Sequence, residues 1–97
     1  TALSHNHLFF FKGGIEAMLR LGDWDGAEAF ADRLDAKFAA EPAPLTRLLS
    51  GRARALAAWG RRRDDRSTLE AVAAWAGEAR RLGYPALSAW PERVLAG

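Results

Sequence analysis

The ten residues from Leu21 to Phe30, LGDWDGAEAF, constrain the fold more than any other stretch of this chain. Gly22 can adopt the left-handed backbone conformation that ends a helix, and Asp23 can accept hydrogen bonds from the free N–H groups that begin the next one. Apolar residues recur at steps of three and four on both sides of this corner, which is typical of amphipathic helices. They are Leu8, Phe11, Ile15 and Met18 before it, and Trp24, Ala27, Ala31, Leu34 and Phe38 after it. The stretch therefore predicts a helical hairpin.

The rest of the chain predicts three further helices. Pro42 and Pro44 end the second helix near residue 40, since proline cannot continue a helix. Helix three is expected from Leu45 to Gly60, and helix four begins at a cap formed by Ser67 or Thr68. Ser4 is expected to cap helix one. The fold class is all-α: hairpin one at 4–40, a linker at 41–44, hairpin two at 45–83, and a short terminal helix at 85–96, in one domain spanning residues 1–97.

The first helix has more apolar surface than one neighbour can cover. Phe9, Phe10 and Phe11 follow one another and span about 200° of a helical wheel, so they cannot all face the same partner. Gly13 and Gly14 follow in the same helix, and each lowers helix stability by about 1 kcal/mol relative to alanine. Such a cost is tolerated where another helix crosses closely. These glycines therefore predict a helix–helix contact.

Composition supports a globular helical chain, with 49% hydrophobic and 27% charged residues and few β-branched ones. The apolar stripes predict a core that includes Trp24, Ala27, Leu34, Leu49, Ala53, Leu56, Val72 and Leu82. Trp59, Trp75 and Trp90 lie on or beside the same stripes. We therefore interpret the tryptophans as packing residues rather than as a binding box.

Several classes of site are excluded or disfavoured by the residues present. The chain has no cysteine, which excludes disulfides, thiolate metal ligands and cysteine nucleophiles. His5 and His7 would diverge on a helix, and Asp23, Asp25 and Glu28 are explained by the positive end of helix two. We expect no metal, no cofactor and no catalytic activity in this chain. No apolar run is long enough for a membrane helix, so we expect a cytoplasmic location without membrane contact.

Charge is distributed unevenly along the chain. Residues 1–50 carry five basic and seven acidic side chains, whereas residues 51–97 carry nine and five. The loop arginines, Arg61, Arg62, Arg63 and Arg66, could form a basic patch extended by Arg52, Arg54, Arg80 and Arg81. Asp64 and Asp65 offset part of this charge, and no exposed aromatic residue alternates with the arginines to stack on bases. A nucleic-acid-binding module is therefore the alternative rather than the favoured function.

Two helical hairpins with corners at Gly22 and Gly60 form a repeat pattern. Residues 22–27, Gly-x-Trp-x-x-Ala, resemble the second-helix signature of tetratricopeptide-type repeats, and Pro42 falls near the closing proline of such a unit. Ala53, Leu56 and Gly60 match the small, large and glycine positions of the family's first helix. The resemblance covers residues 8–83 and implies a short array of antiparallel helices.

The match has clear departures. The corners lie 38 residues apart in this chain, whereas the family repeats about every 34 residues. Ala31 stands where the family has a bulky aromatic residue. Arg62 and Asp65 occupy the aromatic and alanine positions that should follow Gly60. The chain therefore resembles one fair repeat and one degenerate repeat.

The chain is also similar to the C-terminal repeat regions of bacterial multidomain adenylate/guanylate cyclases. The similarity lies in the segment from Ser4 to His7, in the Gly-Asp-Trp-Asp corner and in the tail rich in alanine and arginine. It implies a regulatory module that docks a protein partner or another domain of its parent chain, with the catalytic domain elsewhere. Because the chain begins without methionine, we expect it to be part of a longer polypeptide. Its oligomeric state is left open.

In repeats of this type the first helix of each hairpin lines a concave face. Counting from the two corners, the polar residues on that face are Lys12, Glu16, Arg20, Arg47, Ser50 and Arg54. Four cations and one carboxylate favour a peptide with acidic side chains or a free carboxyl end. The competing interpretation is that these residues form an ordinary solvated surface.

Overall fold

A computed structural model describes the backbone of residues 5–96 and the side chains of residues 8–96. Within this range 82% of the residues are helical and none forms a strand, which confirms the predicted all-α class. The elements are α1 (His5–Leu21), α2 (Trp24–Lys37), α3 (Pro44–Arg61), α4 (Arg66–Arg81), a 3₁₀ turn (Pro85–Leu87) and α5 (Ala89–Ala96).

The corner between α1 and α2 has the predicted chemistry. Gly22 has a φ of +74°, in the left-handed region that favours glycine. The Asp23 carboxylate accepts a hydrogen bond from the Gly26 N–H at 2.9 Å. The Asp23 N–H itself donates to the Met18 carbonyl at 2.9 Å, which closes the last turn of α1. This corner therefore sets α1 and α2 side by side without a longer loop.

The boundaries of α4 and α5 differ from the predictions. Asp65, and not Ser67 or Thr68, caps α4, because its carboxylate accepts hydrogen bonds from the Ser67 N–H at 2.9 Å and the Ser67 hydroxyl at 2.8 Å. These bonds hold the pKa of Asp65 below its ordinary value. The last segment divides at Ser88, and Pro91 is buried in the first turn of α5, where a missing N–H is tolerated.

The other boundaries lie close to the expected positions. Helix α2 ends at Lys37, three residues before residue 40, and α3 begins at Pro44 and ends at Arg61. At the start of α3 the Thr46 hydroxyl donates to the Ala43 carbonyl at 2.8 Å and accepts from the Ala43 N–H at 3.1 Å. The predicted cap at Ser4 lies outside the described residues.

Helix α3 is at the centre of the molecule. Each helix packs against the next one along the chain, and α3 also contacts α1. Six of the predicted core residues are buried: Ala27, Leu34, Leu49, Ala53, Leu56 and Val72. Trp24 and Leu82, which were also predicted in the core, are half-buried and pack against its edge. Apolar periodicity identifies the inward face but not how far each residue lies from its rim.

Aromatic rings seated on glycines bring neighbouring helices together. The Trp24 ring of α2 covers Gly60 of α3, the Trp75 ring of α4 covers Gly51 of α3, and the Phe30 ring of α2 covers Gly14 of α1. A Cβ atom added at Gly14 would lie 2.6 Å from the Phe30 ring, far inside normal contact.

The predicted glycine contact in α1 is therefore confirmed at Gly14 but not at Gly13. A Cβ atom added at Gly13 would meet nothing within 4 Å.

We predict that Gly51→Ala lowers the free energy of unfolding by about 1–2 kcal/mol, because the added methyl group displaces the Trp75 ring. Gly77→Ala is the matched control, since Gly77 lies in α4 with open space around it. It should raise stability by about 0.5–1 kcal/mol through lower unfolded-state entropy. Urea midpoints followed by circular dichroism measure both. An equal rise in both midpoints would contradict the packing role of Gly51.

Candidate functional site

The six residues predicted to share one concave face do not line a single groove. Glu16 and Arg20 border a groove between α1, α3 and α5. Lys12 borders a different groove, beside Tyr84, and Arg47 borders a third between α3 and α4. The predicted surface is therefore divided, because α3 has neighbours on several sides and turns its polar residues towards different helices.

Ser50 and Arg54 are taken up by contacts within the chain. Ser50 is 3% exposed, and its hydroxyl lies 3.4 Å from the Arg47 carbonyl oxygen. The Arg54 guanidinium faces α2, where Nη2 lies 2.8 Å from the Asp32 carboxylate and 2.6 Å from that of Asp35. These two carboxylates raise the pKa of Arg54. Neither side chain is placed to meet a ligand in the groove that contains Glu16.

Arg52 occupies the groove instead. Its side chain is 2% exposed, Nε donates to the Leu87 carbonyl at 2.7 Å, and Nη1 donates to the Glu16 carboxylate. It was predicted only as an extension of the basic patch, a role that its burial rules out. Arg52 is in phase with the buried Leu48 and Leu56, four residues on either side. This periodicity was the signal in the sequence that its guanidinium points inward.

The arginine groove, as we call it, has a volume of about 360 Å³. It is lined by Glu16, Arg20, Arg52, Ala86, Ala89, Trp90 and Arg93. Arg20 and Arg93 are exposed, and within the described residues neither forms a salt bridge. Arg52 is compensated by Glu16. Three arginines against one carboxylate leave a local excess of positive charge around an open groove.

The loop arginines do not form one open basic surface. The Arg61 guanidinium contacts the Asp25 carboxylate and lies 2.9 Å from that of Glu28, and both raise its pKa. The Arg63 guanidinium lies over the Trp59 ring, 4.6 Å from its centroid. Of the four residues in this patch, Arg62, Arg63 and Arg66 are exposed and form no salt bridge among the described residues, although Arg63 contacts the Trp59 ring.

The proposed extension of that patch is also engaged elsewhere. Arg80 pairs with Glu92 of α5, and Arg81 pairs with Glu78 one turn earlier in α4. Together with the burial of Arg52 and the pairing of Arg54, these contacts interrupt any continuous stripe of free cations in residues 8–96.

The outer face of α1 is apolar, as three successive phenylalanines predicted. Phe11 is 6% exposed, whereas Phe9 and Phe10 are 66% and 56% exposed and Leu21 is 76% exposed. The Phe10 ring makes edge contacts with those of Phe11 and Phe30, at centroid distances of 5.4 and 5.9 Å. One of the three rings packs into the core and two face outward.

Residues 8–96 also bear on two other kinds of site. No cluster of three or more histidine, aspartate or glutamate side chains is suited to hold a metal there. None of the helices that the structure describes has the length and apolar character needed to cross a bilayer. The side chains of His5 and His7 lie outside the described part of the chain.

Comparison with known proteins finds no match to a family model, to a curated protein or to a solved structure.

We predict that Arg52→Met lowers the free energy of unfolding by about 3 kcal/mol, since it leaves the Leu87 carbonyl and Glu16 without their partner. Arg54→Met makes the same change two positions away on α3. It should cost less than about 1 kcal/mol, because its ion pairs are partly exposed. Guanidinium chloride unfolding compares the two. Equal losses of unfolding free energy in the two variants would show that the buried contacts of Arg52 contribute no more than the exposed ion pairs of Arg54.

Proposed function

We propose that this chain is a non-catalytic protein–protein interaction module that docks an acidic peptide segment in the arginine groove. The observation that carries the proposal is the pair Arg20 and Arg93, exposed on two sides of the groove. A guanidinium group can bind a carboxylate through two parallel N–H bonds, which gives directional as well as electrostatic recognition.

Arg52 supports the proposal by shaping the groove. Its hydrogen bond to Leu87 connects α3 to the turn immediately before α5, and its contact with Glu16 connects α3 to α1. The elements that carry Arg20 and Arg93 are thus tied to one buried group. A preformed arrangement of this kind reduces the ordering cost of binding.

The lining residues also favour binding over chemistry. The groove brings together arginines, one paired glutamate, a tryptophan and alanines, without a nucleophile beside a base. The segment bound there belongs to a partner protein or to another domain of the parent chain. The similarity to repeat regions of bacterial multidomain cyclases supports a regulatory role for such docking, in the cytoplasm.

A groove of this size supports modest affinity. The contact area is small compared with a standard protein interface, so the dissociation constant should be about micromolar or weaker. Because the recognition is mainly between exposed charges, affinity should fall as ionic strength rises. If the docked segment belongs to another domain of the same chain, its high effective concentration would compensate for this weak affinity.

The proposal is tested with an amidated, fluorescein-labelled nine-residue peptide that carries three glutamates, followed by fluorescence anisotropy. The double variant Arg20→Glu/Arg93→Glu should weaken binding by about tenfold or more, since each change replaces attraction with repulsion. A peptide with glutamines in place of the glutamates should not bind detectably.

The control variant is Arg47→Glu/Arg66→Glu, which makes the same change in net charge at two exposed residues away from the groove. It should keep the affinity within about twofold. Equal weakening by both double variants would mean that overall charge, and not the groove, attracts the peptide, and the proposal would fail. Tight binding of a DNA duplex that depends on Arg62 and Arg66 would favour the nucleic-acid alternative instead.

A further inference from the structure

A second groove lies directly beside the arginine groove and shares two of its residues, Trp90 and Arg93. It is bounded by the end of α3, the start of α4 and the length of α5, with a volume of about 560 Å³. Its lining residues are Trp59, Arg63, Leu69, Trp90, Arg93, Val94 and Leu95. We call it the tryptophan groove.

The tryptophan groove combines apolar walls with positive charge. Two indole rings and three aliphatic side chains line it, and Leu95 remains 42% exposed. Both of its charged residues are arginines, and none of its lining residues is acidic. The Arg63 guanidinium lies over the Trp59 ring, 4.6 Å from its centroid, which is a cation–π contact. An apolar group that enters this groove therefore lies near two guanidinium groups.

The two grooves are close enough for one peptide to occupy both. Trp90 and Arg93 contribute to each of them, so a chain held by its carboxylate in the first can extend into the second. In an extended peptide, residues i and i+2 point to the same side, separated by about 6.6 Å. An acidic residue and its second neighbour can therefore enter adjacent grooves.

We infer that the tryptophan groove selects a bulky apolar side chain, best an aromatic one, two positions from the acidic residue of the docked segment. The inference rests on the proposed function, and it names the occupant as an extended partner peptide of the type acidic–x–aromatic. Charge complementarity with Arg20, Arg63 and Arg93 favours an acidic segment over a neutral one. The two tryptophans provide the apolar surface for the ring.

The test uses three amidated, fluorescein-labelled nine-residue peptides that differ only at their centre: Glu-Ala-Phe, Glu-Ala-Ala and Glu-Phe-Ala. Their other residues are fixed as glycine and serine. Fluorescence anisotropy should show the Glu-Ala-Phe peptide binding at least tenfold more tightly than Glu-Ala-Ala. The Glu-Phe-Ala peptide, whose ring points to the opposite side, should resemble Glu-Ala-Ala.

A variant of the groove itself provides the second measurement. Leu69 and Leu95 line the groove without belonging to the core cluster, so Leu69→Ser/Leu95→Ser should leave the fold intact. This variant should remove the tenfold advantage of Glu-Ala-Phe and leave the affinity for Glu-Ala-Ala unchanged. Leu21→Ser, which makes the same change at an exposed apolar position outside the groove, is the control and should have no effect.

The possible results separate the two proposals. Equal affinities for Glu-Ala-Phe and Glu-Ala-Ala, both abolished by Arg20→Glu/Arg93→Glu, would overturn the inference and leave the proposed function standing. A tenfold advantage that survives Leu69→Ser/Leu95→Ser would also overturn the inference, because the ring would then bind elsewhere. Absence of binding by all three peptides at millimolar concentration would overturn both.

Discussion

The buried guanidinium of Arg52 is the interaction on which the rest of the candidate site depends. An unpaired charge in the interior would be strongly destabilising, but here one hydrogen bond goes to the Leu87 carbonyl and another to the Glu16 carboxylate. Such arrangements contribute little net stability compared with apolar packing. The two hydrogen bonds of Arg52 instead fix the positions of α1 and of the turn before α5 relative to α3. The groove exists because these three elements meet there.

Ion pairing explains how a chain with a net charge of only +2 can have a locally cationic surface. The acidic residues of α2 are matched to arginines of α3, where Arg54 meets two aspartates and Arg61 meets Asp25 and Glu28. On the opposite side, Glu92 of α5 is matched to Arg80. Individually such exposed pairs add little stability. Arg20, Arg63 and Arg93, which line the two grooves, are among the arginines left without an acidic partner in the described residues, so the local charge there differs from that of the whole chain.

Sequence patterns predicted the fold well because the relevant signals are local. The corner at Gly22 and Asp23 follows from backbone chemistry within a few residues, and the core follows from helical periodicity. The site was predicted less well because its geometry comes from distant partners. Arg52 bonds to a carbonyl 35 residues away, and Arg54 to a carboxylate 22 residues away. Which polar residue faces a groove depends on where α5 packs, and that position cannot be derived from the register of α1 and α3 alone.

The rings seated on glycines have a consequence for how the helices can move. A slide of α3 against α4 by one turn, about 5.4 Å, would bring Arg47 or Ala55 beneath the Trp75 ring in place of Gly51. The only residues that accept a ring so close to the backbone are those without a Cβ atom. Each contact therefore favours one register between its two helices, because a shifted register would place a Cβ atom under the ring. Sliding of α1 against α2, of α2 against α3 or of α3 against α4 therefore requires a ring to leave its glycine, so these three interfaces resist shear.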